Sequence, residues 1–568
     1  MNRKFFIPNF LMKKFFDIFY KEIDGLHQAA YLLGIFAFLS QVLALLRDRV
    51  LASSFGTNHI LDIYYSSFEI PDFIFATVAS IVSISVLVPF ITAKLEKSSD
   101  EAKYFINAIF SFFSVIMVCV SIVAFFLMPY LAPKIFPGIA DRTTLISMAR
   151  ILLLSPIFLG VSNFLASITQ VGKRFLVYAL SPLFYNIGII IGAMFLYPIF
   201  GIYGLAYGVV LGTMMHLGIQ LPFVFKSGLF KYWPFNFDYK LVKNVFLISI
   251  PRTITLGMTQ ITTLALVGMA SLMHEGSISI FNFSQNLQSV PLSIIGVSYS
   301  LAAFPTLSKF IAKNQNGEFL SHIGTAVRHI IFWSIPISVL FVVLRAQIVR
   351  TIYGAGKFGW NGTKLTAAAL AIFAISVVAQ SLVLVFIRGY YAQGNTKKSL
   401  YASLTTGALS IGLSYLFVKI FADYNMFRYF IEHLFRVDDI AGTEVLMLSL
   451  GFSLAQIINC IILWFWFEKQ YVGFSTPLFK TLFQSFSASV IMGFVSYLGL
   501  NLLDNFVNIN TLVGIFTQGL LAGILGIIAL ILILKLLKSH ELEEVIDTLH
   551  KKFWKVRPII PDTSVIDL

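Results

Sequence analysis

Charge is what this 568-residue sequence has least of. Asp, Glu, Lys and Arg together make up 12% of it, about half the share found in a soluble domain. A chain of this length folding in water would need several polar surfaces and linkers, yet no polar stretch exceeds about 35 residues. A large soluble catalytic domain is thereby excluded. Cysteine is almost missing too: Cys119 and Cys460 are the only two, and both lie inside apolar runs. That excludes a disulfide framework and a cysteine-based metal site. The nine histidines are scattered, and no role attaches to any of them. The familiar catalytic signatures are absent: there is no Walker phosphate loop, no HExxH and no CxxC. The chain therefore reads as a non-enzyme with no cofactor and no ATPase of its own. A transporter built on it would draw on an ion gradient, the membrane potential or a downhill substrate gradient.

What is present is apolar: 58% of the residues are hydrophobic. Runs of about 20 apolar residues recur along nearly the whole length, each long enough to span a bilayer. The runs are continuous rather than alternating, which argues against a β-barrel. The expected fold is an all-α polytopic membrane protein of about fourteen transmembrane helices. These are placed near 27–46, 59–92, 104–132, 144–170, 175–198, 201–225, 242–273, 278–312, 323–349, 365–392, 398–421, 443–467, 477–503 and 510–537. The net charge of +14, which would point to nucleic acid in a soluble protein, here points to cytoplasmic loops and anionic lipid headgroups. With the N-terminus inside, roughly 27 Lys and Arg fall on inner segments against about 12 outside, so the positive-inside rule puts both termini in the cytoplasm.

Residues 1–24 form a basic, aromatic segment. Phe15, Phe16, Phe19 and Tyr20 can share a helix face beside Lys13, Lys14 and Lys21, which suits a helix on the membrane surface; a disordered tail fits equally well. The segment 422–442 mixes charges and aromatics as an interfacial helix would. The tail 539–568 has Leu542, Val545, Ile546, Leu549 and Phe553 at helical spacing, with acidic residues first and basic ones last. A faint repeat links Pro71-x-x-Ile74, followed by VLVPFITAKLEK, to Pro291-x-x-Ile294, followed by LAAFPTLSKFIAK. Each stands on the second helix of its half. The expected plan is a lobe over 25–230, a second lobe over 231–470, two further helices over 471–538 and the cytoplasmic amphipathic tail. Parallel repeats of this kind are common in transporters with a central site.

A charge inside an apolar segment is costly and marks a functional position by default. The densest set is Arg47, Asp48, Arg49, Asp62, Glu69 and Asp72. Asp62 and Glu69 are seven apart and share a helix face; Glu69 and Asp72 are three apart. The Arg47 guanidinium can hold phosphate oxygens in a bidentate fork. The plainer alternative is an internal ion pair of Arg47 or Arg49 with Asp62 that fixes two helices. Arg252 after Pro251 and Arg388 near a helix end are further candidates, although each can instead snorkel to the interface. Gln285 and Asn286 sit mid-helix, where they can bind a ligand or bond between helices. Lys357, in YGAGKF, reads as a loop charge.

The stretch LSQVLALLRDRVLASSFGTNHILDIYYSSFEIPDFIF resembles the opening of the MurJ/MviN family, the lipid II flippases of bacterial peptidoglycan synthesis. VPLSIIGVSYSLAAFPTLSKF, IYGAGKFGWNGT and IRGYYAQGNTKKS continue the resemblance in order, across roughly residues 27–420. The family lies in the multidrug/oligosaccharidyl-lipid/polysaccharide exporter superfamily. The resemblance implies two six-helix lobes around a central cavity, with two further helices forming a lipid-facing groove. It implies alternating access in a bacterial cytoplasmic membrane, with a polyprenyl-diphosphate glycan as cargo, basic residues on the diphosphate, and a coupling cation or the membrane potential as drive. Arg47, Asp48 and Asp62 match the family pattern. Three further positions where the family carries arginine hold Gln41, Phe75 and Asn286, and the eleventh-helix positions of sodium-binding relatives hold Ser410 and Ser414. Two other functions fit a diverged cavity: export of another polyprenyl-linked glycan or a drug-like cation, and a membrane scaffold that does not transport.

Overall fold

The computed structural model describes residues 26–82, 84–229, 238–509 and 511–553. The basic segment 1–24 lies outside them. Among the described residues every regular element is helical. Twelve helices are long and apolar enough to cross a membrane, which makes the chain an all-α membrane protein. The two expected segments not among those twelve, 27–46 and 59–92, are also helical. They form α1 (Leu26–Phe55), then α2 (His59–Ile81) and α3 (Ile84–Lys97). The count of fourteen spans is therefore not established.

Several expected helices are broken where the sequence places proline or a turn. The segment read as 59–92 ends a first helix at Val82, whose N–H turns back to the Ser80 carbonyl. After α4 (Ser99–Ile135), the segment read as 144–170 divides into α5 (Arg142–Leu152) and α6 (Leu154–Val171). Pro156 explains the division, since its ring cannot accept the carbonyl of residue 152 in a continuous helix. Helix α7 (Phe175–Ile191) runs into a π-helical turn at Gly192–Leu196 and a short helix Tyr197–Phe200. Pro291 closes α10 (Ser277–Pro291), and a π-helical turn at Leu292–Val297 leads into α11 (Ser298–Ala312). Both proline-marked helices of the repeat are thus interrupted.

By its contacts the chain forms two compact units. The first comprises the described residues of Met1–Val290, Ile348–Phe373 and Gly394–Asn459. In it α7 packs along α8 (Tyr203–Gly218), and their glycines meet backbone to backbone. A Cβ on Gly188 would stand 2.2 Å from the Gly212 Cα, and one on Gly208 would stand 2.3 Å from the Gly192 Cα. Small residues let backbones approach closely where there is no hydrophobic drive between helices. α2 packs on α9 (Tyr239–Ser271), where the Ser80 and Thr253 hydroxyls meet at 2.7 Å. The segment 422–442 carries a helix, Asn425–Phe435, with Met426, Tyr429, Phe430 and Leu434 exposed.

The second unit comprises the described residues of Pro291–Gln347, Ala374–Gln393 and Cys460–Leu568. In it α12 (Asn316–Val343) packs on the helix Thr476–Leu503, which packs on the helix Leu512–Leu536. The amphipathic tail forms a helix, His540–Phe553. It is docked rather than free: Leu542 is buried with Phe332, Ala488 and Leu534. Glu541 accepts the Thr481 hydroxyl at 2.6 Å and the Ser539 hydroxyl at 3.0 Å, with Arg328 at 3.7 Å. Burial pushes the Glu541 carboxyl up, but those hydrogen bonds and Arg328 outweigh it and leave the group below its ordinary value. A carboxylate with a lowered folded pKa stabilises the docked state above its unfolded pKa and loses that contribution as pH falls through the folded value. The tail helix is therefore expected to release as pH drops below the ordinary glutamate range. Hydrogen exchange over residues 540–553 checks this: Glu541→Gln should exchange faster at neutral pH and lose the acid transition.

Candidate functional site

Arg47 and Asp48 lie about two turns before the end of α1, and they bond each other although adjacent in sequence. The Arg47 Nε and Nη2 donate to the Asp48 Oδ1 at 2.8 and 2.7 Å. The Arg47 Nη1 donates to the Asn186 Oδ1 on α7 at 3.0 Å. Asn186 is held for this by its own Nδ2, which donates to the Pro182 carbonyl at 3.0 Å. The other Asp48 oxygen accepts from the Asn286 Nδ2 on α10 at 3.0 Å. One arginine and one carboxylate thus tie together α1, α7 and α10. Asp48 is 1% exposed, while the Arg47 side chain is 20% exposed. Of five guanidinium N–H groups, three are engaged, leaving two for a ligand. Tyr64, Tyr65, Tyr185 and Tyr353 stand within the field of this guanidinium.

Asp62 and Arg49 do different work. Asp62 accepts the Gly276 N–H at 2.6 Å and both the N–H and hydroxyl of Ser279, at 2.8 and 2.7 Å. These groups form the N-terminus of α10, whose first N–H groups have no partner within the helix. Asp62 therefore caps a helix 214 residues away in sequence, where the helix dipole favours its charge. Arg49 donates to the carbonyls of Thr351 and Ile352 at 2.6 and 3.0 Å. These belong to the last turn of the helix Arg345–Tyr353, the end at which a cation is favoured. The two ions fix helix ends, each from its own side of the 56–58 turn. The expected pairing of Arg47 or Arg49 with Asp62 does not occur. Beside Arg49, the Lys357 N–H bonds the Ser53 carbonyl at 2.8 Å, so the loop carrying Lys357 packs on the end of α1.

Glu69 is 6% exposed, and its Oε2 has no hydrogen-bond partner. Asp72 follows one turn later on the same face of α2 and lies within its field. Ser66, buried one turn before, also has an unpartnered hydroxyl. An unpaired buried carboxylate is expensive. Glu69→Gln is therefore expected to leave the melting temperature of the purified protein unchanged or higher; a clear fall would mean that the carboxylate has a partner.

Gln285 is half-buried beside Asn286. Arg252 lies in α9, with its side chain outside the described residues. Arg388 belongs to the second unit, where its guanidinium lies 5.3 Å from the centre of the Phe304 ring. Ser410 and Ser414 are both fully buried, and Ser414 donates to the Leu448 carbonyl at 3.3 Å. Of the ten candidates, the structure gathers Arg47, Asp48 and Asn286 into one network. Asn186 is the member that the sequence reading missed; a lone amide within the apolar run YNIGIII was its signal.

The family described as "Lipid II flippase MurJ" matches residues 51–517. A protein of Thermotoga maritima named "Probable lipid II flippase MurJ" is 29% identical over 387 residues, covering 68% of this chain and 77% of that one. A solved structure of lipid II flippase MurJ in an inward closed conformation superposes with a TM-score of 0.71 at 24% identity, covering 91% of this chain and 100% of that chain. An inward-facing multidrug resistance MATE family transporter of the MOP superfamily superposes at 0.62 with 12% identity, over 77% of this chain and 96% of the other. The structural likenesses speak to the fold, and the sequence family extends over most of the chain. The chain belongs to the MurJ family of lipid II flippases.

Proposed function

We propose that this protein carries a polyprenyl-diphosphate-linked peptidoglycan precursor, lipid II, from the cytoplasmic to the outer leaflet of a bacterial inner membrane by alternating access. The observation that carries this is the family match over 51–517, and the half-buried Arg47 supplies the matching chemistry. The family transports rather than catalyses, and the chain's lack of catalytic motifs agrees with that role. Arg47 is the residue to which the diphosphate binds. Its two uncommitted N–H groups meet the first phosphate oxygen, and Asp48 holds the guanidinium plane in a fixed orientation. Asn286 and Asn186 set the positions of that pair. Glu69 and Asp72 oppose an anion as long as both are charged, so cargo binding is tied to a proton or cation taken up beside them. The drive is then an ion gradient or the membrane potential.

We place the lobes at 25–230 and 231–470 and a lipid groove on the helices of 471–538, with both termini cytoplasmic as the Lys and Arg distribution favours. The test is rescue of a bacterium depleted of its own lipid II flippase, read together with the appearance of lipid II at the outer surface. Growth with outward lipid II supports the reading. Expression in the membrane without either result overturns it.

A further inference from the structure

A cavity of about 510 Å³ opens between α4 and the α5–α6 pair of the first unit, away from the Arg47 network. Its walls include Ser121, Phe125, Phe126, Arg150, Leu154 and Ile157, and apart from Arg150 and Ser121 every lining residue is apolar. Phe126 is 73% exposed, so the groove faces the surroundings of the bundle. Arg150 is a cation within a membrane-spanning segment, where a charge needs a reason. Part of the reason is local. Pro129 has no N–H to give the Phe125 carbonyl, and the Arg150 Nε supplies the missing donor at 3.1 Å. The guanidinium also lies 4.5 Å from the Phe125 ring centre, a cation–π distance. Neither contact neutralises it, and among the described residues no carboxylate pairs with it. The four N–H groups on its terminal nitrogens remain for an anion.

The groove has a direction. The 37 residues of α4 make about 55 Å of helix, some 10 Å more than a bilayer with its headgroups. Phe125 lies about 15 Å before the end of α4, and Arg150 about 12 Å after the start of α5, so the cation stands near the headgroup boundary. Ser121 and Ile157 lie about 6 and 10 Å deeper. Cation at the water side, apolar channel toward the bilayer centre: this is the polarity of a lipid in that leaflet.

We propose that this groove is a binding site for one anionic phospholipid. The phosphate rests on Arg150 at the mouth of the groove, and one acyl chain lies along Leu154 and Ile157. In the orientation given above, the lipid belongs to the outer leaflet. Native mass spectrometry of the full chain in detergent tests the site, with phosphatidylglycerol titrated against diacylglycerol of the same chains. The wild type should hold one phosphatidylglycerol at least fivefold more tightly than diacylglycerol. Arg150→Gln should lose that preference. Leu154→Trp, which fills the groove and leaves the guanidinium in place, should lose the bound lipid as well. Equal binding of the two lipids by the wild type overturns the proposal, and so does phosphatidylglycerol binding by Leu154→Trp within twofold of wild type. The second comparison stands even if Arg150→Gln fails to fold.

Discussion

Arg47→Ala is expected to abolish rescue of flippase-depleted cells, and Arg47→Lys to leave at most about a tenth of the wild-type transport rate. The reason is geometric before it is electrostatic. The guanidinium donates two N–H groups to one Asp48 oxygen and a third to Asn186, and a single ammonium cannot reproduce that fork. Removing the arginine also leaves Asp48, 1% exposed, with only the Asn286 amide as a partner. Breaking a buried pair by deleting one member costs about 3–5 kcal/mol, so Arg47→Ala alone could fail through folding. The double variant Arg47→Ala/Asp48→Asn separates the effects, because it removes the orphaned charge together with the cation. Its melting temperature should return toward wild type while lipid II export stays absent. Wild-type export by the double variant would remove Arg47 from the cargo site.

The second large effect is at Asp62. Asp62→Ala takes the acceptor from two backbone N–H groups and one hydroxyl at the start of α10. Each orphaned donor costs about 1–3 kcal/mol when buried, and hydrogen bonds to a charge are at the upper end. The consequence passes along the helix: α10 also carries Asn286, whose amide holds Asp48. Asp62→Ala should lower the melting temperature and the transport rate together. Asp62→Asn, which keeps an acceptor oxygen, should recover much of both. A variant Asp62→Ala as stable as wild type but inactive in export would assign the carboxylate to the cargo and not to the helix end.

The two residues show what could be read from the sequence and what could not. The membrane helices were legible because a bilayer demands long apolar runs of any chain that crosses it, and the runs at 360–392 and 445–470 stand out on that ground alone. The cluster on the first helices was legible because charge is so scarce. The partners were not. Arg49 bonds the carbonyls of Thr351 and Ile352, and Asp62 bonds the N–H groups of Gly276 and Ser279. Backbone groups are the same at every residue, so no pattern of side chains announces them. Nor does an apolar run disclose the π-helical turns at Gly192–Leu196 and Leu292–Val297, since neither interrupts the hydropathy. The Pro156 break was open to reading but lay hidden within a segment otherwise apolar enough to pass as one helix.

The bare glycine seam between α7 and α8 bears on how the chain is made. Only Gly201 and Ile202 separate the short helix after α7 from the start of α8, and Gly201 takes the left-handed φ of +60° that the reversal requires. Every contact of the seam is therefore close in sequence, the kind that forms fastest. Asn186 sits on this helical hairpin, beside Gly188. The first wall of the Arg47 site thus comes from one local hairpin, whereas Asn286 comes from α10, much later in the chain.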